Sequence, residues 1–495
     1  MKKLTVLVLF VVMCFSLLMA CGSSGSEKPA NSPTTTTTTT TTETAAPNAT
    51  EEVIEPEVYE NGLSKEEKVI LKVGLWESGS GRAWIDLAME QFIAKYPNVT
   101  FDLTSTPTLE TILEPKIAAG NDDDMFDLFM PRFSANGALD RLVEAGKIES
   151  QDDLWERELP DGSGKTLRSV ISDDFYNNAT SAGMTARVPV VGFNSGLFFD
   201  QQLFDEKGWN KNPNTWDEFV SLLEQIKSDG IIPITFPGVY AGYLTDYVFQ
   251  VLQFDLAKAN GTFDTYVANF RNYDGPQITT EENKEAWNRM YQFGKNGYFP
   301  AGVAALNHTQ SQMQVMQHKA AMVATGDWVG NEMKESTPAG FTWGFMSIPV
   351  TNDSNQTVFV NAGTGDVSFA IWKNKPELTK QWAKEFILSL YNFEIQESLA
   401  VDAGSYPGRL DYSEDPARVE KLQPTQKAVM EYSTKHNVEY ISYQRNFALT
   451  SPEEGQAVKI LNELITAVAT GKKDPLPVLE EAEKLRQAAI AKDRP

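Results

Sequence analysis

The sequence predicts an α/β fold, a mostly parallel sheet covered by helices, and three observations carry that expectation. A strand, a helix and a second strand follow one another between residues 69 and 103. The alternation recurs further along, beginning again with a capping signal at Thr215. Hydrophobic residues make up 41% and charged residues 22% of the 495, ordinary globular usage in a chain long enough to bury a large core without staples.

The first unit begins with the apolar run Val69 to Trp76, which enters a turn-rich loop from Glu77 to Gly81. From Arg82 the spacing predicts a helix, with Ile85 followed by Met89, Phe92 and Tyr96 at offsets of 4, 7 and 11, and Pro97 stops it. Val99, Phe101 and Leu103 then alternate with polar residues as a half-buried strand. A strand, crossover helix and strand of this size implies parallel pairing. Thr215 with Glu218 resembles a capping box ahead of the apolar face Phe219, Leu222, Leu223 and Ile226. A strand is expected at 231–235, and further helices at 377–391 and at 456–470, the latter closed by Gly471.

The N-terminal 65 residues differ in kind. Lys2 and Lys3 precede an apolar run from Leu4 to Ala20, the pattern of a secretory signal. Leu18, Met19, Ala20 and Cys21 resemble a bacterial lipobox, so Cys21 is expected to carry lipid and 1–20 to be removed. Cys14 would leave with the signal, so no thiol remains for a disulfide or a cysteine-based site. Residues 21–65, with nine threonines from Thr34 to Thr42, lack large apolar groups and are expected to be a disordered tether reaching about 35 Å.

With 43 basic against 67 acidic residues the formal charge is -24, which argues against nucleic acid, whose affinity comes from Lys and Arg releasing counterions. Residues 66–495 alone hold 39 basic and 60 acidic residues, so the acidity belongs to the folded body.

Catalytic signatures fail on inspection. Gly162 to Thr166 looks like the end of a phosphate loop, but Leu159 replaces its first glycine. Gly79 and Gly81 lack a third glycine, because Trp84 stands there. No Gly-x-Ser-x-Gly elbow occurs, and His308, His318 and His436 do not pair at metal-ligand spacing. Asp122, Asp123 and Asp124 lack calcium-loop spacing. No cofactor and no metal are expected. A carboxylate pair of the glycosidase type stays open, because its signature is a separation in space.

The order of landmarks over residues 66–495 resembles the family 1 extracellular solute-binding proteins of bacterial ABC importers, chiefly those for sugars. The landmarks are Leu75, Trp76 and Glu77; 127–133 with Asn136, Gly137 and Gly146; and 188–200 with Asn194, then Leu203, Phe204 and Gly208. Next come Pro213 with Thr215 to Glu218; Lys319 to Met322 leading to Gly326, Asp327 and Trp328; and Gly363 to Gly365. Trp382 with Phe386 and the run Gly404 to Arg409 complete the set. His318 and Thr364 depart from the pattern, each at a place where the family commonly has glycine.

The resemblance implies a two-lobed, periplasmic-binding-protein-like fold with hinge strands and a ligand cleft between the lobes. Lobe one is expected at 66–190 plus 367–405 and lobe two at 191–366 plus 406–495. It also implies a non-enzymatic, extracellular, monomeric receptor, held to the membrane only by lipid on Cys21, that hands sugar to the permease subunits of an ABC importer. Stacking on an amphipathic ring beside polar groups suits a pyranose. The expected ligand-binding residues are Trp76, Glu77, Arg132, Phe236, Tyr240, Tyr243, Asp327, Trp328, Gly363, Asp366, Tyr406 and Arg409. Residues 230–243 also look like the branch that takes N-acetylglucosamine or its β-linked oligomers. Two other readings share these features: a surface-anchored glycan hydrolase or lyase, and a binding protein for a non-sugar solute such as a peptide.

Overall fold

The computed structural model describes residues 57–77, 81–134, 137–365 and 367–494. The signal segment, Cys21 and the tether through residue 56 lie outside them, as do 78–80, 135–136 and Asp366. Among the described residues no helix is long and apolar enough to cross a membrane.

Two sheets organise the body. The first runs in the order Val99–Thr106, Val69–Trp76, Leu128–Phe129, Ser368–Ile371, Val188–Pro189. Val69–Trp76 pairs in parallel with Val99–Thr106 over its whole length, from Val69 opposite Val99 to Trp76 opposite Thr106. The crossover helix is Ala83–Lys95, which buries Trp84, Ile85, Ala88 and Phe92 and leaves Met89 only partly covered. The second sheet is built around Val191–Asp200, flanked by Thr357–Thr364 and Ala320–Gly326, with Asn437–Ile441 and Ile232–Thr235 at its edges. Trp343–Met346 and Tyr406–Pro407 also pair with Val191–Asp200. All seven residues of Ala320–Gly326 are buried, as befits an interior strand covered on both faces.

Local signals account for the helices. The Thr215 hydroxyl accepts from the Glu218 amide at 3.2 Å and starts Trp216–Ser228, which buries Phe219, Leu222, Leu223 and Ile226. The Glu218 carboxylate reaches back to the Asn214 amide at 2.7 Å, one residue before the cap, so the box closes through a neighbour. Glu377–Ser389 matches the expected span, and the helix expected at 456–470 begins earlier, as Pro452–Ala469, because Pro452 is pre-set for a first helical turn.

Each sheet has its own core. One cluster draws on residues between Val69 and Val191 and between Val367 and Ala403; the other draws on residues between Leu197 and Val360 and between Ala428 and Ala482. In the first, the Trp382 ring meets Tyr59, Phe92 and Tyr96 edge-on at 5.8, 6.1 and 4.9 Å. Such pairs contribute about 0.5–1.5 kcal/mol each beyond their buried area.

Three chain segments run side by side between the sheets. The Val190 amide donates to the Val367 carbonyl at 2.8 Å, and the Gly365 amide to the Val191 carbonyl at 2.6 Å. Tyr406 and Pro407 pair with Gly192 and Val191. A Cβ on Gly408 would stand 2.3 Å from the Val190 carbonyl oxygen, so glycine is what lets the third segment lie against the first. The molecule is therefore a two-lobed α/β fold joined by a narrow bundle of hinge strands, a geometry in which few residues need absorb a closing motion.

Candidate functional site

Ligand sites in α/β sheets form beyond the carboxyl ends of strands. On the first sheet, Val69–Trp76 ends in Trp76, whose indole Nε1 donates to the Pro107 carbonyl at 2.9 Å. The Arg132 guanidinium lies 3.6 Å from the centre of that ring, and the Glu77 carboxylate accepts from the Ser105 hydroxyl at 2.7 Å. All three side chains are half-buried, so Trp76, Glu77 and Arg132 form one polar-aromatic group at the edge of the first lobe.

On the second sheet, Ala320–Gly326 ends in a locked turn. The Asp327 amide donates to the Asn194 carbonyl at 3.0 Å, and its carboxylate takes the Asn194 amide at 3.0 Å and Nδ2 at 3.2 Å. Its carbonyl accepts from the Thr425 hydroxyl at 2.6 Å. These bonds aim Trp328, which folds back over Gly326. Phe193 at 5.4 Å, Tyr247 at 5.4 Å and Tyr243 at 6.4 Å surround its ring edge-on. His308 extends the group, packed on Tyr243 at 4.6 Å and stacked on Tyr240 at 4.4 Å. Burial lowers the His308 pKa, which favours the neutral imidazole.

Tyr240 is exposed, while Phe193, Tyr243, Tyr247 and Trp328 are half-buried. Rings that are held yet partly open form a stacking surface rather than core. Gly363 belongs to the same surface, because Phe193 packs onto its Cα; a Cβ there would stand 2.5 Å from that ring. Tyr406 is half-buried opposite Gly192, and burial raises its hydroxyl pKa.

Three residues expected at the ligand lie elsewhere. Phe236 is fully buried, edge-on to Phe299 at 5.7 Å, and offers no face to a ligand. Asp327 is fully buried and spends one carboxylate oxygen on Asn194, so it positions Trp328 instead of reaching the cleft. Burial pushes its carboxyl up to about 7 despite those bonds, and Oδ1 has no partner among the described residues. Arg409 is buried beside the hinge, forked on Asp411 at 2.8 Å, bonded to Asp161 at 2.5 Å and to the Tyr391 carbonyl at 2.8 Å, and stacked on Phe393. It is a structural clamp. Asp366 lies outside the described residues.

Sequence reasoning missed Phe193, Tyr247 and His308. The spacing of Tyr243 and Tyr247, four apart, was a usable signal for one shared helical face. Phe193 and His308 join the group only through tertiary folding. Among the described residues no group of three His, Cys, Asp or Glu side chains is placed to hold a metal.

Two lobes on hinge strands, each presenting half-open aromatic and polar side chains at its strand ends, define a protein built to close on a small ligand. The chain belongs to the bacterial extracellular solute-binding protein family, which it matches over residues 76–393. It is 22% identical over 310 residues to the multiple sugar-binding protein of Streptococcus mutans, covering 62% of this chain and 68% of that one. It is 22% identical over 287 residues to the diacetylchitobiose binding protein of Streptomyces coelicolor, covering 57% of this chain and 58% of that one. A solved chitin oligosaccharide binding protein superposes with a TM-score of 0.63 at 18% identity, covering 86% of this chain and 99% of the other; this likeness shows the fold.

Proposed function

We propose that this protein binds a sugar or short oligosaccharide between its lobes and delivers it to an ABC importer, closing around the ligand at the hinge. The observation that carries this reading is the Trp328 ring, half open, backed by Gly326 and fenced by Phe193, Tyr243 and Tyr247. A pyranose has an apolar face that suits such a ring and a hydroxyl rim that suits neighbouring polar groups. Trp76, Glu77 and Arg132 supply that mixture from the first lobe; Tyr240, Tyr243, Gly363 and Tyr406 complete the ligand-facing set, joined by Phe193 and Tyr247, and Asp366, outside the described residues, is assigned to the ligand on the sequence alone. The lobes are 66–190 with 367–405, and 191–366 with 406–495.

A chitooligosaccharide is the favoured ligand, on two supports: the character of residues 230–243, and the relative named for binding diacetylchitobiose. In this reading the mature protein is a monomer whose tether, expected to run to residue 65, ends by residue 56, because Tyr59 and Leu63 pack on the first core and Val58 pairs with Ser64; it is held to lipid on Cys21, outside the cytoplasmic membrane, where it meets the permease subunits.

A thermal-shift screen tests the reading with N-acetylglucosamine, diacetylchitobiose, triacetylchitotriose, glucose, maltotriose, galactose and raffinose. A ligand at about 100 times its Kd adds about 2.7 kcal/mol of stability. A rise in Tm with one sugar series supports it; a flat response across the panel overturns it.

A further inference from the structure

The segment that carries Tyr243 and Tyr247 has a second face. Gly242–Leu244 runs into a π-helical turn, Thr245–Phe249, tied to the sheet where the Asp246 carbonyl accepts from Asn361 Nδ2 at 3.2 Å. Such turns displace side chains from the regular helical register. While Tyr243 and Tyr247 face Trp328, Asp246 and Gln250 line a cavity of about 290 Å³ in the second lobe, walled by Glu281–Lys295 and Pro452–Ala469. That volume is close to the lower end, about 300 Å³, of small-molecule sites.

The cavity's polar groups are only partly used by the protein. Arg445 bonds to the Phe270 carbonyl and to Gln277 Oε1, and stacks on Phe270 and Tyr273. Among the described residues it pairs with no carboxylate, whereas Arg486, on the same lining, is neutralised by a two-point contact with Glu454. Burial lowers the Arg445 pKa to about 10. Among the described residues the Asp246 carboxylate bonds only to the neighbouring Thr245 hydroxyl and pairs with no cation. Burial raises its carboxyl to about 6, although the residue stays open to solvent, which places it at the rim of a concavity. Among the described residues the side chains of Gln250 and Asn462 have no hydrogen-bond partner, and Trp287 supplies an apolar wall. One unpaired charge of each sign, two idle amides and an indole suit a neutral ligand rich in both donors and acceptors; an ion would leave one charge uncompensated.

We propose that this cavity is a side pocket of the cleft that takes one further sugar ring, entered past Asp246 by an oligosaccharide whose neighbouring unit stacks on Trp328. The inference rests on the sugar-binding reading and adds to it that the ligand is an oligomer. Its consequence is a length preference seated in the second lobe: trimer affinity exceeds monomer affinity by tenfold or more, and the excess belongs to the pocket.

Titration calorimetry with N-acetylglucosamine and triacetylchitotriose, and in parallel with glucose and maltotriose and with galactose and raffinose, tests this in the full-length protein. Asn462→Trp plugs the pocket from an exposed helical position, and Arg445→Met removes the guanidinium. The expected result is that Asn462→Trp lowers trimer affinity to within about threefold of the monomer's while monomer affinity is unchanged, with Arg445→Met in the same direction. If a trimer binds and both variants keep its full advantage, the pocket assignment is overturned and the cleft reading stands. If no member of the panel binds the unaltered protein, both fail.

Discussion

The indole of Trp328 folds over the backbone of Gly326, two residues before it, so closely that a Cβ at 326 would stand 2.1 Å from the ring. The ring cannot simply retreat, because Phe193 and Tyr247 sit on its other sides at 5.4 Å. Gly326→Ala is therefore expected to expel the indole from its seat. Sugar affinity should fall tenfold or more, about 1.4 kcal/mol, with the fold retained by circular dichroism; calorimetric titration checks it.

Asp327 gives the protein a specific pH signature. Its folded carboxyl holds a proton up to about 7 against an ordinary 3.8, because it is buried. The folded state thus binds the proton more tightly than the unfolded chain, and this contribution to stability is full below the ordinary value and lost as pH rises toward 7. Asp327→Asn keeps an acceptor for Asn194 without the charge. It should melt higher than the parent at about pH 8 and at nearly the same temperature at about pH 4, as read by scanning calorimetry.

Arg409 holds the hinge region together through Asp161 and Asp411. Burial alone would raise the Asp411 carboxyl, but the bonds from Arg409 and Lys165 outweigh it and hold the group down at about 2. The stability it adds is present above the ordinary carboxylate range and lost as pH falls toward 2. Arg409→Ala leaves Asp161 without its cation and Asp411 with Lys165 alone, and should cost about 3–5 kcal/mol in urea unfolding. Sugar affinity measured well below the melting temperature should change little, since the side chain is 0% exposed.

Gly408 lets two hinge segments touch, and alanine there would collide with the backbone of Val190 at 2.3 Å, with no rotamer to relieve it. Gly408→Ala should lower stability by about 1–3 kcal/mol, as overpacking does. It should also shift the distribution of open and closed shapes seen by small-angle scattering, whereas Gly162→Ala, at a surface turn with open space beside it, should leave that distribution unchanged.

Much of the fold was legible because it is written in local periodicity. The 3.6-residue spacing of Phe219, Leu222, Leu223 and Ile226 specifies a helix and its buried face, and the alternation from Val99 specifies a strand beside Val69–Trp76. Side-chain direction at strand ends was not legible. Asp327 and Trp328 are adjacent, yet one turns into the core to bond Asn194 and the other turns out onto Gly326. Arg409 looks like a cleft residue by type and place, and only the fold brings Asp161 to it across 248 positions of sequence. Phe193 and His308 carry no pattern of their own, because their partners come from segments far away in the chain.

The most direct test of sugar stacking at Trp328 is calorimetric titration of triacetylchitotriose, maltotriose and raffinose into the unaltered protein and into Trp328→Ala. The account predicts saturable heat with at least one of them, and a tenfold or greater loss of that affinity in the variant while its melting temperature in the absence of sugar stays within a few degrees. Equal affinity in the two proteins would contradict it.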